Sequence, residues 1–390
     1  MEPRIKLFFN LIKQRLRPEL DNVDLPESVD QETVEKLMSL AGMHSLTTII
    51  GSALVEQNLI PEIELYKIIQ KNTCRAAIQS DQLHLERQWL TQILEDAQIP
   101  YVPLKGAIIQ AYYPESWMRE SCDIDILIHE EDLEKAVSVL KANGCTEYGK
   151  KGAHDIPLLT PSHILLELHF SIRENIPSVD RVLDQVWEYS QPAPGGQYEY
   201  RQQNAFLLFH LIAHMAYHCI AGGCGIRSFV DIWLLRDKME YDEAAFYHFL
   251  KEAKLDKFYR NVLHLIAVWF DGEQHTEATQ RLEDVVVTGG AYGSADNQIL
   301  LDQANNGGKG KRLLKRIFMP YAGLKTQYPV LEGRPWLMPV FQVARWLRLF
   351  TGGRLRRAAL EYKTSSRHTD TQIDEAKLFL EEIGLDLKKS

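Results

Sequence analysis

Apolar residues recur at helical spacing through the first hundred positions of the chain, and this pattern changes at residue 99. From there to residue 172, short apolar runs alternate with polar positions and turn residues, which is typical of strands. The helical period returns from residue 178. The pattern therefore predicts a small mixed unit of strands and helices enclosed between two helical regions.

The elements can be placed by period and by turn residues. In the mixed unit, strands are predicted over 99–104, 123–128, 146–148, 155–160 and 164–172, with helices over 106–113 and 130–143. Elsewhere, helices are predicted over 32–57, 63–98, 179–190, 203–220, 228–239, 242–255, 257–270 and 375–383. Loops or linkers are expected at 192–198 and 365–372, and 289–310 is the weakest candidate for fixed structure.

The expected fold class is α+β, a small mixed-sheet core with N-terminal helices and a C-terminal helical domain. Four segments are predicted: an N-terminal helical segment (1–98), the α/β core (99–177), a helical domain (178–310) and a basic C-terminal helical segment (311–390).

Composition excludes several classes of protein. The chain has 390 residues, 45% of them hydrophobic, and a net charge of −9. These values are typical of globular proteins and exclude a wholly disordered chain, a collagen-like chain and a globally basic nucleic-acid binder.

Charge is unevenly distributed along the chain. Between Lys309 and Arg357 there are twelve Lys or Arg residues and one acid, Glu332, so this segment carries +11 and the remainder −20. Aromatic residues are interleaved with the basic ones. The segment could bind nucleic acid, lie on an anionic membrane surface, or pack against the acidic body of the protein. The last interpretation is favoured because it needs no external partner.

Five scattered cysteines, an odd number without a CxxC pair, favour reduced thiols. No signal peptide is recognised, and no stretch approaches the 18 or more apolar residues of a membrane-spanning helix. A soluble, cytoplasmic protein is expected.

Two aspartates share one face of the predicted strand 123–128. Residues two apart in a strand project to the same side, so Asp123 and Asp125 lie together while Ile124 and Ile126 face the core. Adjacent carboxylates repel unless a cation lies between them, and Mg²⁺ prefers such oxygen ligands. The alternative is a pair of solvated aspartates on an exposed strand.

Further polar residues surround this pair in sequence. Glu167 and His169 share one face of the strand 164–172, between apolar neighbours, and acids are rarely buried there unless paired or metal-bound. Lys105 and Gly106 stand at a predicted strand-to-helix turn, where a glycine permits close approach and a lysine suits phosphate.

The ordered set Leu104-Lys105-Gly106, Arg119, Asp123-Ile124-Asp125 and Leu166-Glu167-Leu168-His169 resembles the polymerase-β-type nucleotidyltransferase superfamily. More narrowly, it resembles the bacterial uncharacterised nucleotidyltransferases that carry an LKG motif before a DxD strand. The motif-bearing resemblance covers about residues 99–172. The chain departs from the superfamily at the turn, where Lys105-Gly106 replaces Gly-Ser, so Lys105 is expected to replace the usual hydroxyl contact.

The resemblance implies NMP transfer from a nucleoside triphosphate to an acceptor through two Mg²⁺ ions. Asp123 and Asp125 would hold the ions that bind the triphosphate, and Glu167 would complete the site towards the acceptor. Lys105, Gly106 and Arg119 are the expected nucleotide-binding residues. For Arg119 the alternative is a surface arginine. His169 would act beside the metal or as a base, or be a hydrogen-bonded strand histidine.

A predicted helix carries His210, His214 and His218 on nearly one face. This ladder could bind zinc or form hydrogen bonds at an interface, and the second interpretation is favoured because HExxH is absent. By likeness to the same family, His214, Arg227 and Asp231 would face the nucleotide or acceptor. The alternative for Arg227 and Asp231 is an ion pair within one helix.

The leading hypothesis is a Mg²⁺-dependent nucleotidyltransferase acting on a small molecule, a protein or an RNA end, the first two being slightly favoured. The rival hypothesis is a non-catalytic nucleotide-binding or toxin–antitoxin-like partner protein of the same fold. A third, nucleic-acid or membrane binding as the main function, rests on the basic segment alone.

Overall fold

The computed structural model describes residues 2–20, 23–290, 295–305, 317–349 and 368–386. The fold is α+β, as the sequence pattern predicts. Thirteen helices up to residue 305 are labelled in chain order: α1 (Pro3–Leu16), α2 (Gln31–Met43), α3 (Thr47–Glu56), α4 (Ile63–Asp96), α5 (Gly106–Ile109), α6 (Leu133–Ala142), α7 (Pro177–Leu183), α8 (Asn204–Ala221), α9 (Ile226–Lys238), α10 (Glu243–Glu252), α11 (Asp256–Phe270), α12 (Glu277–Gly289) and α13 (Ala295–Asn305). Later described helices span Tyr321–Gln327, Met338–Leu349 and Asp370–Ile383.

A mixed five-stranded sheet forms the centre of the predicted α/β unit. Its strands are β1 (Tyr101–Pro103), β2 (Asp123–Ile128), β3 (Thr146–Glu147), β4 (Asp155–Leu159) and β5 (Leu165–His169), in the order β1-β2-β5-β4-β3. Only β2 and β5 pair in parallel; the other pairs are antiparallel. The strand predicted over 123–128 is confirmed at both ends.

The register of β2 and β5 determines which side chains meet. Asp125 lies opposite Glu167, and Leu127 lies opposite His169. Ile124 and Leu166 are 3% and 0% exposed, because the alternate positions of both strands face a core. One face of the sheet is therefore apolar, and the opposite face carries acids and histidine.

Two apolar cores support the sheet. The smaller one joins α4, the sheet and α6 through residues such as Leu90, Ile126 and Leu140. The larger one joins the N-terminal helices to α8, α9 and α11, and Phe9 of α1 stacks on Trp269 of α11 at 4.3 Å between ring centroids. Each fully buried side chain of this size stabilises the fold by about 1.5–3 kcal/mol. The boundaries at 98, 177 and 310 stay predictions.

Helix α8 is the most apolar long helix of the described residues. By length and composition alone it could cross a membrane, so the expectation that no stretch approaches this length is wrong. However, 67% of its 18-residue window is buried inside the protein, which is typical of a core helix.

Several predicted elements differ from the observed ones. The helix expected over 32–57 is two helices, because the backbone turns at Ser45, whose φ is 54°. The helix expected over 179–190 ends at residue 183. A two-stranded hairpin, β6 (Ser190–Pro192) with β7 (Tyr200–Gln202), borders the stretch expected as a loop.

The hairpin is fixed by a contact distant in sequence, since the backbone amides of residues 197–199 donate to the Glu95 carboxylate on α4. Two further stretches contain helix that was not expected. Helix α13 lies within 289–310, the weakest candidate for fixed structure, and Asp370–Ile383 begins within the expected linker 365–372. Much of the basic segment, including Lys309 to Arg316 and Arg354 to Arg357, lies outside the described residues.

Candidate functional site

The acidic face of the sheet forms one wall of a cavity of about 390 Å³, called here the acidic cavity. The other walls come from the Lys105–Gly106 turn, the loop after β5, and helices α8 and α9. The sequence-predicted residues that line it are Lys105, Gly106, Arg119, Asp123, Asp125, Glu167, His169, His214, Arg227 and Asp231. The structure thus brings all ten to one cavity, although they play different structural parts.

Asp125, Glu167 and His169 form the tightest group. One ligand atom from each lies within 4.8 Å of the others, an arrangement that could hold a metal ion. His169 Nε2 lies 3.1 Å from Asp125 Oδ1 and 3.5 Å from Glu167 Oε2. Asp123 is not among these three, and its Oδ1 accepts a 3.0 Å hydrogen bond from Ser121.

The protonation of this group follows from its contacts. Burial alone would lower the pKa of His169, but hydrogen bonds to Asp125 and Glu167 raise it to about 9. Burial would raise the pKa of Asp125, and the hydrogen bond from His169 outweighs it and lowers this pKa. A positive imidazolium therefore lies between two carboxylates, the position that a cation would favour.

For Asp123, the groups that favour the ionised form, the Ser121 hydroxyl and the charge of Arg227, do not outweigh the opposing effects. Burial, and next the charge of Asp125, raise the pKa of Asp123. Its ionised form is thus disfavoured in this structure, and a divalent cation would relieve the repulsion. The three carboxylates fit a hard divalent ion such as Mg²⁺, because they offer oxygen ligands on one face.

The turn before α5 places the Lys105 ammonium and Gly106 at the wall of the acidic cavity. Lys105 has a left-handed φ of 24°, and burial lowers the pKa of its ammonium against the opposing charges of Glu174 and Asp125. Among the described residues it forms no ion pair within 4.0 Å. A Cβ at Gly106 would lie 3.4 Å from Arg119 Nη1, at the edge of an ordinary van der Waals contact, so the glycine leaves open space beside the guanidinium.

Arg119 is held in a closed network. It is 7% exposed, so the alternative of a surface arginine is wrong. Its Nε and Nη2 both donate to Asp231 at 2.9 Å, and the Tyr113 hydroxyl donates to the same carboxylate at 2.7 Å. Arg227 donates to the Glu120 carbonyl at 2.7 Å. Asp231 therefore pairs with Arg119, and the ion pair within α9 is not formed.

The histidines of α8 form hydrogen bonds between elements. His214 Nδ1 lies 2.7 Å from Glu174 Oε1, and its Nε2 lies 3.0 Å from His218 Nε2. His210 contacts Gln202 of β7. Burial lowers the pKa of His210 and of His214 well below the usual value, so both rings are neutral. These contacts agree with the favoured interpretation of hydrogen bonding.

Glu174 is the residue that the sequence did not reveal. It is 9% exposed in the loop after β5, and burial raises its pKa. No strand period or motif marks this position. The only local signal is an acid in a short polar run between two apolar stretches, which is common in solvated loops.

A second cavity of about 380 Å³ adjoins the first. Ser121, Asp123, Arg119 and Arg227 line both. Its remaining lining is mostly polar and uncharged, with Trp117 and Arg75 among the exceptions. Asp123 thus lies where the two cavities meet.

Taken together, a small mixed sheet with three carboxylates on one face, beside a glycine turn, defines a nucleotidyltransferase-type core. The sequence matches the model of the family described as uncharacterised nucleotidyltransferase over residues 30–271. This match covers more than half of the chain, so the protein belongs to that family, and the family assignment supports a general function in nucleotidyl transfer. No curated protein matches the sequence.

Proposed function

We propose that the protein is a Mg²⁺-dependent enzyme that transfers NMP from a nucleoside triphosphate to an acceptor hydroxyl or amine on a small molecule or a protein. The observation that carries this proposal is the pairing of β2 with β5, which places Asp125 opposite Glu167 and close to Asp123. Three carboxylates on one wall of a cavity are costly to bury without cations.

In the proposed mechanism Asp123, Asp125 and Glu167 would hold two Mg²⁺ ions, which would supply Lewis acidity and charge neutralisation. His169, whose Nε2 lies 3.1 Å from Asp125 Oδ1, orients that carboxylate by hydrogen bonding. Lys105 donates to the phosphates, and the open approach at Gly106 lets the chain lie close to them.

Arg119 is proposed to bind the nucleotide through its Nη1, because its Nε and Nη2 already donate hydrogen bonds to Asp231. Asp231 and Tyr113 hold the guanidinium in place, and Arg227 with its carbonyl contact borders both cavities. The protein's work is mainly positioning and charge stabilisation, as in other phosphoryl-transfer sites.

The two cavities suggest where the substrates lie. The second cavity meets the acidic cavity at Asp123 and suits a nucleoside, whose base could contact Trp117. The acceptor would then approach from the opposite side, past Glu167.

The free cysteines are compatible with the proposed cytoplasmic location.

The test is transfer of label from ATP labelled at the α-phosphate to components of a cell extract in the presence of Mg²⁺. Wild-type protein should label a discrete product, and Asp125→Ala should not. Labelling that is absent, or equal in both proteins, contradicts the proposal. Tight ATP binding without transfer would instead favour the non-catalytic alternative.

A further inference from the structure

A further carboxylate, Glu174, lies in the acidic cavity but not on the sheet. Its backbone amide donates a 2.8 Å hydrogen bond to Asp180 of α7, which fixes the loop that carries it. The side chain is almost wholly removed from solvent and lines the same cavity as Asp125 and Glu167. A buried acid in a loop needs an explanation, because acids are seldom buried without a partner.

One oxygen of Glu174 is held in a fixed position. Because a carboxylate only accepts hydrogen bonds, the proton of the 2.7 Å contact belongs to His214 Nδ1. The neutral ring then accepts at Nε2, and His218 Nε2 donates to it at 3.0 Å. The chain of contacts therefore runs in one direction, from His218 through His214 to Glu174.

The other oxygen is available for chemistry. Glu174 Oε2 accepts no hydrogen bond from any residue within the described ranges. Arg173, the neighbouring cation, is instead paired with Asp184. Burial raises the pKa of Glu174, and a higher pKa makes its carboxylate a stronger base. The charged or titratable groups that act on it are Lys105, His154, His169 and His218.

We propose that Glu174 is the general base of the transfer reaction, and that His214 is the residue that positions it. This inference rests on the proposed function. The acceptor oxygen forms a bond to the α-phosphorus, the bond from that phosphorus to the bridging oxygen breaks, and pyrophosphate leaves. The proton of the acceptor hydroxyl passes to Oε2 of Glu174.

Glu167 is less suited to this role. It lies in the group of Asp125 and His169, within 4.8 Å, where a cation would occupy its oxygens. A carboxylate that binds a cation is a weak base, because the cation stabilises its ionised form. Glu174 stands apart from this group while facing the same cavity.

The experiment compares full-length wild type with Glu174→Gln, using α-labelled ATP, Mg²⁺ and a whole cell extract, which contains both small-molecule and protein acceptors. Loss of a general base is expected to lower kcat by about 100-fold or more, while the KM for ATP and the Mg²⁺ requirement stay unchanged. Added formate should restore part of the activity to Glu174→Ala, because it can occupy the vacated carboxylate position. Glu188→Gln, the same change at an exposed position, is the matched control.

The positioning role of His214 is tested separately. The amide of His214→Asn can still donate towards Glu174, whereas His214→Phe cannot, so the Asn variant should retain clearly more activity. This comparison also holds if Glu174→Gln folds poorly, since both His214 variants are checked by thermal unfolding.

The outcomes separate the two proposals. Wild-type transfer with undiminished Glu174→Gln activity, or a Glu174→Gln defect that extra Mg²⁺ corrects, overturns the role of Glu174 alone. A Glu174→Ala protein that folds but is not rescued by formate also counts against a base. Absence of transfer by wild type overturns the proposed function, and this inference with it.

Discussion

Two buried polar clusters share the wall of the acidic cavity, and they differ in how completely their charges are paired. In the Arg119–Asp231 cluster, two parallel hydrogen bonds and the Tyr113 hydroxyl satisfy the carboxylate. In the sheet cluster, Asp123, Asp125 and Glu167 face one another with His169 as the only cation in direct contact among the described residues.

The difference separates a structural role from a binding role. A paired and hydrogen-bonded ion pair gains little from a ligand, whereas repelling carboxylates gain much from a cation. The raised pKa of Asp123 and the lowered pKa of Lys105 mark groups whose charged forms are disfavoured in this structure. We expect substitutions in the sheet cluster to act mainly on activity and substitutions in the Arg119–Asp231 cluster to act mainly on stability.

The largest effect is expected for Asp123→Asn. Loss of a metal-binding carboxylate removes several kcal/mol of transition-state stabilisation, so transfer should fall by about 1000-fold. Without Mg²⁺ the melting temperature should stay equal or rise, because the repelling charge is gone while Ser121 can still donate to the amide oxygen. Thermal unfolding with and without Mg²⁺ measures this, and a large loss of stability in the metal-free variant would contradict it.

In the paired cluster, Asp231→Ala should lower the free energy of unfolding by about 3–5 kcal/mol, since Arg119 would be left charged and buried. Denaturant titration measures the change, with the exposed Asp81→Ala as control. A loss no larger than in the control would remove the distinction between the clusters.

Lys105→Met is expected to weaken ATP binding by about 1.5–3 kcal/mol, the usual contribution of a charged hydrogen bond. Because burial already disfavours its ammonium, the variant should be no less stable than wild type. Calorimetric titration with ATP tests the first point and thermal unfolding the second. Lys150→Met, at an exposed position, should leave both quantities unchanged.

A smaller effect on stability is expected from His44, a buried histidine in the helical region. Its Nδ1 accepts from the Ile226 amide and its Nε2 donates to the Val287 carbonyl, and burial lowers its pKa to about 4. Protonation of His44 therefore favours the unfolded chain. The stabilisation that the neutral ring gives to the fold is complete above pH 6.5, the ordinary pKa of histidine, and is lost as the pH falls towards 4.

Between about pH 6.5 and 5 the loss from His44 should be about 1.5 kcal/mol. Denaturant titrations at several pH values measure it. The pH dependence should be shallower in His44→Gln, whereas the exposed His84→Gln should behave like wild type.

Much of the fold could be predicted because its signals are local. Period and turn residues place most helices, and β2 matches its prediction at both ends. The hairpin of β6 and β7 could not be predicted, since Glu95, a hundred residues earlier, supplies the hydrogen bonds that hold it. The break at Ser45 likewise depends on contacts that His44 makes with Ile226 and Val287.

The candidate site was predictable where it lies on strands. The period of two places Asp123 with Asp125 and Glu167 with His169, and the structure brings these pairs together. Pairing between side chains distant in sequence was not predictable. Spacing of four residues suggests Arg227 as the partner of Asp231, whereas the structure pairs Asp231 with Arg119. Glu174 has no periodic context, and only the approach of α8 gives it a partner in His214.

The parallel pairing of β2 with β5 also limits where insertions and deletions can occur in related sequences. The loops of the connection between these strands can change length more easily than α6, β3 and β4, which also lie in it, because the loops are outside the paired residues of the sheet. A single inserted or deleted residue inside β5, however, would exchange Glu167 for a leucine on the face of the cavity. Across related sequences we therefore expect length variation to accumulate in the loops of the connection and to be absent from the five residues of β5.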